Sequence, residues 1–245
     1  MTKNHIYVTK ERVRIRLIVM TEKKLIKTAD GTFSLMLENL KETYHSRHGA
    51  LQESRYVYIE KGLKHWKEFN PHATECYVFE MGFGTGLNAL LAADFAQQHT
   101  FPLYFESIEN DPLSSEVHEQ LGYTALFPHL GSTKERAELL QNAWNREFPF
   151  SAYFNCFKKK QDYFQWQSKS EFDLIFYDAF GAHAQSEMWE EKALQIAVAK
   201  LKKGGVWVSY CAKGSVRRAL QSLGLEVERL PGPPGKREML RATKL

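Results

Sequence analysis

The strongest chemical signal in the sequence is a glycine-rich turn, "EMGFGTGLN", that follows an apolar run. Gly82, Gly84 and Gly86 stand at alternate positions. After the first strand of a nucleotide-binding α/β sheet, such glycines allow a sharp turn, close approach of the backbone to a ligand and tight packing of the next helix. Dinucleotide-binding proteins carry GxGxxG, whereas the spacing here is GxGxG. The turn therefore predicts a ligand site of a different kind, although glycine-rich turns also serve structure alone.

Two carboxylates stand at the ends of later apolar runs. Glu109 ends "LYFESIE", 23 residues after Gly86, where it can accept hydrogen bonds from both ribose hydroxyls of an adenosine. Asp178 follows "FDLIFY", and ligands of open α/β sheets bind beyond the carboxyl ends of the strands. Together with the glycine turn, these positions predict a nucleoside-type cofactor. The turn, preceded by Glu80, resembles the S-adenosylmethionine loop of class I methyltransferases.

The pattern of elements explains how these residues would be positioned. From residue 75 onward strand-like and helix-like runs alternate, which predicts a mostly parallel sheet with helices on both faces. Helix-like runs include "STKERAELLQNAWNREF". The seven strand-like runs are "CYVFEM", "LYFESIE", "AYFNCF", "FDLIFYDAF", "GGVWVSYC", "LEVERL" and "REMLRA", of which the last two form a predicted terminal hairpin.

The first 70 residues differ from the rest. "RVRIRLIV" and "ESRYVYIEKGL" read as strands, so we predict a β-rich extension over 1–70 that packs on a Rossmann-like domain over 71–245. Met20 begins a segment that resembles a natural translation start. Residues 1–19 are therefore either native or an upstream extension of the gene model.

Composition narrows the class of protein. The 245 residues, 43% apolar and 25% charged, suit one main core, and we expect a cytoplasmic protein because no apolar run reaches the length of a membrane span or a secretory signal. Cys76, Cys156 and Cys211 lack CxxC spacing and are predicted to be core residues. For His45 and His48 we expect polar positions at the surface and no metal site.

A family resemblance rests on several segments in order. "DGT", "YHSRHGALQESRYVYIEKGL", "EMGFGTGLN", "YDAFGAHAQSEMW" and the GxxxKREM ending all resemble the methyltransferase domain of the MnmC family, from about Asp30 to Lys244. The resemblance implies a class I, Rossmann-like fold that uses S-adenosylmethionine without metal or flavin. It also implies methylation of the 5-aminomethyl group of the wobble (2-thio)uridine in a tRNA anticodon loop. Bifunctional members continue into a flavin-dependent oxidase domain, so for a chain ending at Leu245 we expect methyl transfer only.

The resemblance also assigns roles to residues. Asp178 is the candidate that accepts a proton or hydrogen bond from the attacking amine, its alternatives being a bond to the methionine amino group or a turn cap. Phe180 is the candidate wall for a flipped base, since alternation turns Tyr177 to the other face, although both could be core. The expected cofactor-binding residues are Tyr44, Glu53, Tyr58, Glu80, Gly82, Gly84, Gly86, Asn88, Glu109, Asp162 and Asp178.

Two departures from the family pattern leave assignments open. The family commonly has DAFAP where this chain continues with Gly181-Ala182-His183, which puts a backbone role for that loop in doubt. The family often has Gly-Asp where this chain has Gln161-Asp162. Asp162 is therefore either an adenine contact or a helix N-cap.

Basic residues predict the RNA contacts. Phosphates would meet Lys213, Arg217 and Arg218 at the start of one helix, and Lys236 and Arg237 after the "PGPPG" turn, although each is equally consistent with solvated surface charge. Two other functions stay open at this point: a class I methyltransferase or aminopropyltransferase-like enzyme for a small amine, and a catalytically silent RNA-binding module. The intact glycines and carboxylates argue against the silent module. Protein partners are not indicated.

Overall fold

The computed structural model describes residues 23–245, and its first element is a small antiparallel sheet. The strands β1 (Lys23–Lys27), β2 (Phe33–Leu37) and β3 (Glu42–Thr43) form it in that order. Gly31, in the turn between β1 and β2, has a φ of 87°, which glycine adopts without strain. The predicted strand in "RVRIRLIV" and the question of residues 1–19 lie outside the described residues.

The prediction of a strand in "ESRYVYIEKGL" is wrong, because this stretch is helical. It lies in α1 (Ala50–Ser54) and in a π-helical segment, Arg55–Lys64, that continues into α2 (His65–Phe69). The buried residues of the π-helical segment are Val57, Tyr58, Gly62 and Leu63. The two buried pairs lie five residues apart, which matches i→i+5 bonding and puts them on one face. The aromatic and β-branched residues of this stretch are typical of a strand, but packing against the central sheet stabilises the helix instead.

The central sheet has eight strands in the order β10-β11-β9-β8-β4-β5-β7-β6. The five inner strands from β9 to β7 are parallel, and β10, β11 and β6 pair antiparallel with their neighbours. Their bounds are β4 (Cys76–Met81), β5 (Leu103–Glu109), β6 (Glu147–Ser151), β7 (Phe154–Lys160), β8 (Phe172–Tyr177), β9 (Leu201–Ser209), β10 (Leu225–Pro231) and β11 (Glu238–Lys244).

The mostly parallel sheet and the terminal hairpin are thus confirmed, with one more strand than predicted. The additional strand is β6, part of which the sequence analysis placed in a helix. The helix ends at Gln141, and β6 tolerates Pro149 because it lies at the sheet edge, where a missing N–H costs little.

Helices cover both faces of this sheet. The face that carries α3 and the π-helical segment and the face that carries α6 and α7 each hold a large apolar cluster. Cys76, Cys156 and Cys211 are buried and unpaired, as predicted. Between residues 23 and 245, no helix is long and apolar enough to cross a membrane. The remaining helices are α3 (Leu87–Gln98), α4 (Ser115–Leu121), α5 (Thr133–Gln141), α6 (Glu191–Ala199) and α7 (Gly214–Ser222), with short 3-10 turns at Glu38–Leu40, Tyr123–Ala125, Tyr163–Gln165 and Ser186–Trp189.

Candidate active site

A cavity of about 430 Å³ opens at the carboxyl ends of the inner strands β4, β5 and β8. Its size falls within the range of small-molecule sites, roughly 300–1,000 Å³. Strand order reverses here, because β5 and β8 flank β4 on opposite sides. Such a switch point is where open α/β sheets bind ligands.

One wall of the cavity, which we call the glycine wall, consists of residues 82–85, 109–110 and 161–164. The three glycines have φ values of 91°, 49° and 74°, a region that other residues rarely adopt. A Cβ at Gly82 would lie 2.8 Å from the Asp178 carbonyl oxygen, and one at Gly86 would lie 2.5 Å from Leu140 Cδ2. Both positions are therefore closed by the protein itself. Gly84 faces the cavity, and a Cβ there would lie 3.3 Å from the Tyr44 ring.

Glu109 is fixed on the glycine wall by backbone donors. Gly84 N–H donates to Glu109 Oε2 at 3.0 Å, and Asp111 N–H donates to Oε1 at 2.9 Å. Each carboxylate oxygen keeps a further lone pair for a ligand. The carboxylate is thus held in one orientation at the cavity edge, where it can receive two hydroxyl groups.

Asp162 lines the same wall and caps the 3-10 turn Tyr163–Gln165. Its Oδ1 accepts a hydrogen bond from Phe164 N–H at 2.8 Å. The N-cap alternative is therefore realised, and a ligand contact from the same carboxylate stays a prediction. Beside it, the half-exposed Phe164 ring faces the cavity.

Asp178 follows β8 and presents its carboxylate to the cavity floor. Asn88 Nδ2 donates to Asp178 Oδ2 at 2.9 Å. Enclosure by protein on the sides away from the cavity raises the pKa of Asp178 to about 6, with the nearby Glu53 adding to the shift and Tyr58, Asn88 and Lys236 opposing it. Asp178 is therefore ionised at about pH 7 but close enough to neutrality to exchange a proton.

Three expected cofactor residues lie behind the cavity instead of lining it. Gly86 packs against core side chains. Tyr58 is buried next to Asp178, and its hydroxyl has no regular hydrogen-bond partner among the described residues. Glu80 is fully buried and accepts a hydrogen bond from Ser107 Oγ at 2.6 Å. These residues can support the site, but they cannot touch a ligand in the cavity without rearrangement.

The rest of the lining, which we call the appended wall, combines segments that are distant in sequence: 42–46, Glu53, 179–188, Tyr210 and Lys236. Glu42 Oε2 accepts a hydrogen bond from Gly181 N–H at 2.9 Å and lies 3.5 Å from His183 Nε2. The Phe180 ring meets Tyr44 edge to face, with 4.8 Å between ring centroids. These contacts hold the loop that carries Phe180 against the N-terminal segment.

A second set of side-chain contacts on this wall joins Glu53 to the C-terminal hairpin. Glu53 Oε1 accepts from Ser46 N–H at 2.8 Å, and Lys236 Nζ donates to Glu53 Oε2. Lys236 Nζ also lies 3.9 Å from the centroid of the Tyr210 ring. Lys236, predicted as an RNA contact, is thus held in the cavity wall.

The cavity is strongly acidic. Among the described residues Lys236 is the one lysine or arginine that lines it. A cationic ligand is therefore favoured over an anionic one. The acidic lining residues are Glu42, Glu53, Glu109, Asp162, Asp178 and Glu187.

The other predicted RNA-binding residues lie outside the cavity. Lys213, Arg217 and Arg218 are at the start of α7, and Arg237 is exposed on the turn before β11. Lys213 and Arg218 line a shallow groove together with residues of the 182–191 segment, whose other side faces the cavity. This groove therefore adjoins the cavity mouth.

Sequence reasoning misjudged His45 and missed Glu42. His45 is buried and its ring nitrogens contact Ser34 Oγ and Thr85 Oγ1, so the expected surface position is wrong. Burial lowers the pKa of His45 to about 4. Glu42 carried no local signal, because its partner Gly181 is 139 residues away. Residues 23–245 contain no cluster of three or more His, Cys, Asp or Glu side chains suited to a metal ion.

Comparison with known proteins agrees with this geometry. Residues 158–245 match the family described as S-adenosyl-L-methionine-dependent methyltransferase. The bifunctional protein MnmC of tRNA 5-methylaminomethyl-2-thiouridine biosynthesis from Actinobacillus pleuropneumoniae (serotype 5b, strain L20) is 31% identical over an alignment of 222 residues, which covers 84% of this chain and 33% of that protein. Its namesake from Methylobacillus flagellatus is 32% identical over 81% of this chain and 32% of its own length. The chain spans about one third of the length of these relatives.

A solved structure supports the same assignment at the level of fold. The crystal structure of MNMC2 from Aquifex Aeolicus superposes with a TM-score of 0.69 at 22% identity, covering 91% of this chain and 70% of that one. Fold and cavity together define a class I S-adenosylmethionine-dependent methyltransferase fold. The chain is a homologue of the MnmC methyltransferase domain and belongs to that methyltransferase family.

Proposed function

We propose that this protein transfers a methyl group from S-adenosylmethionine to the 5-aminomethyl group of the wobble (2-thio)uridine in tRNA, in the cytoplasm. The product is the 5-methylaminomethyl nucleoside. The observation that carries the proposal is Asp178, a carboxylate with a pKa raised to about 6 that faces an acidic cavity beside a glycine turn. MnmC relatives support the choice of tRNA as acceptor.

The residues of the glycine wall fit the cofactor. Glu109, held by Gly84 N–H and Asp111 N–H, would accept two ribose hydroxyls, and the positive φ of Gly84 lets the turn bring its N–H to that carboxylate. Asp162, which lines the same wall, would accept from an adenine amino group. S-adenosylmethionine, when bound, supplies an activated methyl group, and its cationic sulfonium suits the acidic lining.

Asp178 would align and deprotonate the acceptor amine. A primary aminomethyl group is largely protonated near neutral pH, so a base must remove one proton before the nitrogen lone pair can attack. Asp178 would accept that proton or share it in a hydrogen bond, while Asn88 holds its other side. Because the methyl donor is already activated, most of the protein's contribution is alignment of the nitrogen with the methyl carbon.

The appended wall would hold the uridine base. Phe180 and Tyr44 present aromatic surface next to Asp178, of the type that packs against flipped bases. Lys213 and Arg218, on the groove beside the cavity, would meet phosphates of the anticodon stem and loop, and Glu190 and Glu191 line the same groove.

Labelled methyl transfer tests this proposal. Protein and methyl-labelled S-adenosylmethionine are incubated with tRNA from cells that lack the endogenous modification, and in parallel with polyamines. We expect label in tRNA, recovered after digestion as the 5-methylaminomethyl nucleoside, and none with Asp178→Asn. Label in the polyamine alone would show that the acceptor is a small amine, and tRNA that already carries the product serves as the negative control.

A further inference from the structure

Behind Asp178 lies a row of buried polar groups, of which the proposed mechanism uses only Asn88. Ser107 Oγ–H donates to Glu80 Oε2 at 2.6 Å. The Asn88 side chain neighbours Glu80 and donates through Nδ2 to Asp178 Oδ2 at 2.9 Å. Glu80 is 0% exposed and Asn88 is 4% exposed, so water does not solvate this row.

Two oxygens in the row are unpaired. Glu80 Oε1 and Asn88 Oδ1 have no hydrogen-bond partner among the described residues. An amide oxygen can only accept, and so can both oxygens of an ionised carboxylate. If Glu80 were charged, Glu80 and Asn88 would each bury an oxygen that accepts no hydrogen bond. Native protein interiors avoid such unsatisfied acceptors. One proton on Glu80 Oε1 converts that atom into a donor for Asn88 Oδ1.

The charges around Glu80 point the same way. The titratable groups that face it are Asp178 after β8, Glu109 on β5 and Cys156 on β7. Two of them are carboxylates and none is a cation, so nothing in this set stabilises a third negative charge. Burial, above all, holds the pKa of Glu80 well above its ordinary value, against the side chains of Ser107 and Asn88, which lower it.

We propose that Glu80 is a protonated positioning residue. Its O–H donates to Asn88 Oδ1 and so fixes the amide with Nδ2 directed at Asp178, which carries the negative charge of the row. The proton on Glu80 thereby orients the Asp178 carboxylate and keeps it ionised near neutral pH. Only the effect on methyl transfer rests on the proposed function. The protonation of Glu80 does not.

Infrared spectroscopy tests the protonation without substrate. The difference spectrum between the native protein and Glu80→Gln, both unliganded at about pH 7, should contain the carbonyl band of a protonated carboxylic acid that only the native protein has. Asp178→Asn is the control, and its spectrum should keep the band. Absence of the band from the native protein would overturn the proposal. If Glu80→Gln does not fold, ¹³C NMR of native protein labelled at glutamate carboxyl carbons decides, because a glutamate already charged at pH 7 leaves no neutral signal.

Kinetics tests the positioning role. Gln keeps a donor for Asn88 and an acceptor for Ser107, so Glu80→Gln should leave kcat and the acid limb of the pH profile unchanged. Glu80→Ala removes the donor and should lower kcat roughly tenfold to a hundredfold, with the acid limb moved to higher pH, because a small misplacement of a reacting group is costly. An acid limb moved to lower pH in Glu80→Gln would mean that a negative charge had been removed, and would contradict the proposal.

Discussion

The two walls of the cavity are held by different kinds of contact. On the glycine wall, Glu109 is fixed by the N–H groups of Gly84 and Asp111, which lie in the turns after the adjacent strands β4 and β5. On the appended wall, side chains join segments far apart in sequence. Glu42 reaches across 139 residues to Gly181, and Lys236 reaches across 183 residues to Glu53.

This difference indicates a division of labour. Backbone donors that belong to the sheet cannot change without changing the fold, so the glycine wall is suited to the invariant part of a reaction, the cofactor. The side-chain contacts between the N-terminal sheet, the loop after β8 and the C-terminal hairpin can be altered one at a time by single substitutions. The appended wall is therefore suited to the acceptor, and Asp178 lies where the two walls meet.

The most damaging substitution should be Asp178→Asn, at the junction of the walls. We expect kcat for tRNA methylation to fall by about 10²- to 10⁴-fold, the usual contribution of a general base, while affinity for S-adenosylhomocysteine changes little. Steady-state kinetics and calorimetry measure the two effects. Asp173→Asn, at the opposite end of β8, is the matched control. Loss of cofactor binding in Asp178→Asn would instead assign Asp178 to the glycine wall.

The same carboxylate predicts the pH dependence. Since the basic form of Asp178 is the active one and its pKa lies near 6, kcat should be constant above that pH and fall about tenfold per unit below it. Rates at saturating tRNA and cofactor between about pH 5 and 8 check this. An acid limb near the ordinary aspartate pKa of about 4 would show that burial does not raise the pKa of Asp178.

Glu109→Gln tests the glycine wall. It removes the charge from a carboxylate that would accept two hydroxyls, and bonds to charged groups contribute about 1.5–3 kcal/mol each. We expect the dissociation constant for S-adenosylhomocysteine to rise about 10- to 100-fold, with the affinity for tRNA unchanged. Asp111→Asn, on the exposed neighbouring carboxylate, is the control for charge alone and should change the affinity by less than about twofold.

Arg217→Ala with Arg218→Ala tests RNA binding at the start of α7, where Arg218 lines the groove outside both walls. Each phosphate that the protein no longer neutralises should reduce the slope of log affinity against log salt by about 0.7 to 0.9. We expect tRNA binding to weaken about tenfold at low salt, measured by filter binding, and cofactor affinity to stay constant. Lys202→Ala with Lys203→Ala is the matched control. It removes the same charge from the first residues of β9, at the end of the strand away from the cavity. Equal weakening by both pairs would mean that net charge alone attracts tRNA.

Glu42→Ala should have the smallest effect and tests the appended wall alone. It removes the acceptor for Gly181 N–H and frees the loop that carries Phe180. A single hydrogen bond contributes about 1 kcal/mol, so we expect KM for tRNA to rise about fivefold without a change in cofactor affinity. Glu38→Ala, on the exposed turn before β3, is the control. A weaker cofactor affinity in Glu42→Ala would remove the distinction between the walls.

The parts of the molecule that the sequence predicted well depend on local patterns. Alternating apolar runs predicted the parallel sheet and the terminal hairpin, and the glycine turn followed by carboxylates at strand ends predicted where the cavity would lie. These signals work because a strand, a turn and a helix start each require particular residue types within a few positions. The misread stretches, 53–63 and β6, are those where packing on the sheet or an edge position overrides local preference.

Neighbours along the chain were enough to specify the glycine turn, the strand that ends in Asp178 and the carboxylate of Glu109. The folded arrangement was needed to show that Glu42 holds the Phe180 loop, that Lys236 turns into the cavity, and that Glu80 lies behind Asn88 out of reach of a ligand. The reason is physical. Burial and contacts between distant segments set the charge state and orientation of a side chain, and neither quantity is encoded in the residues beside it.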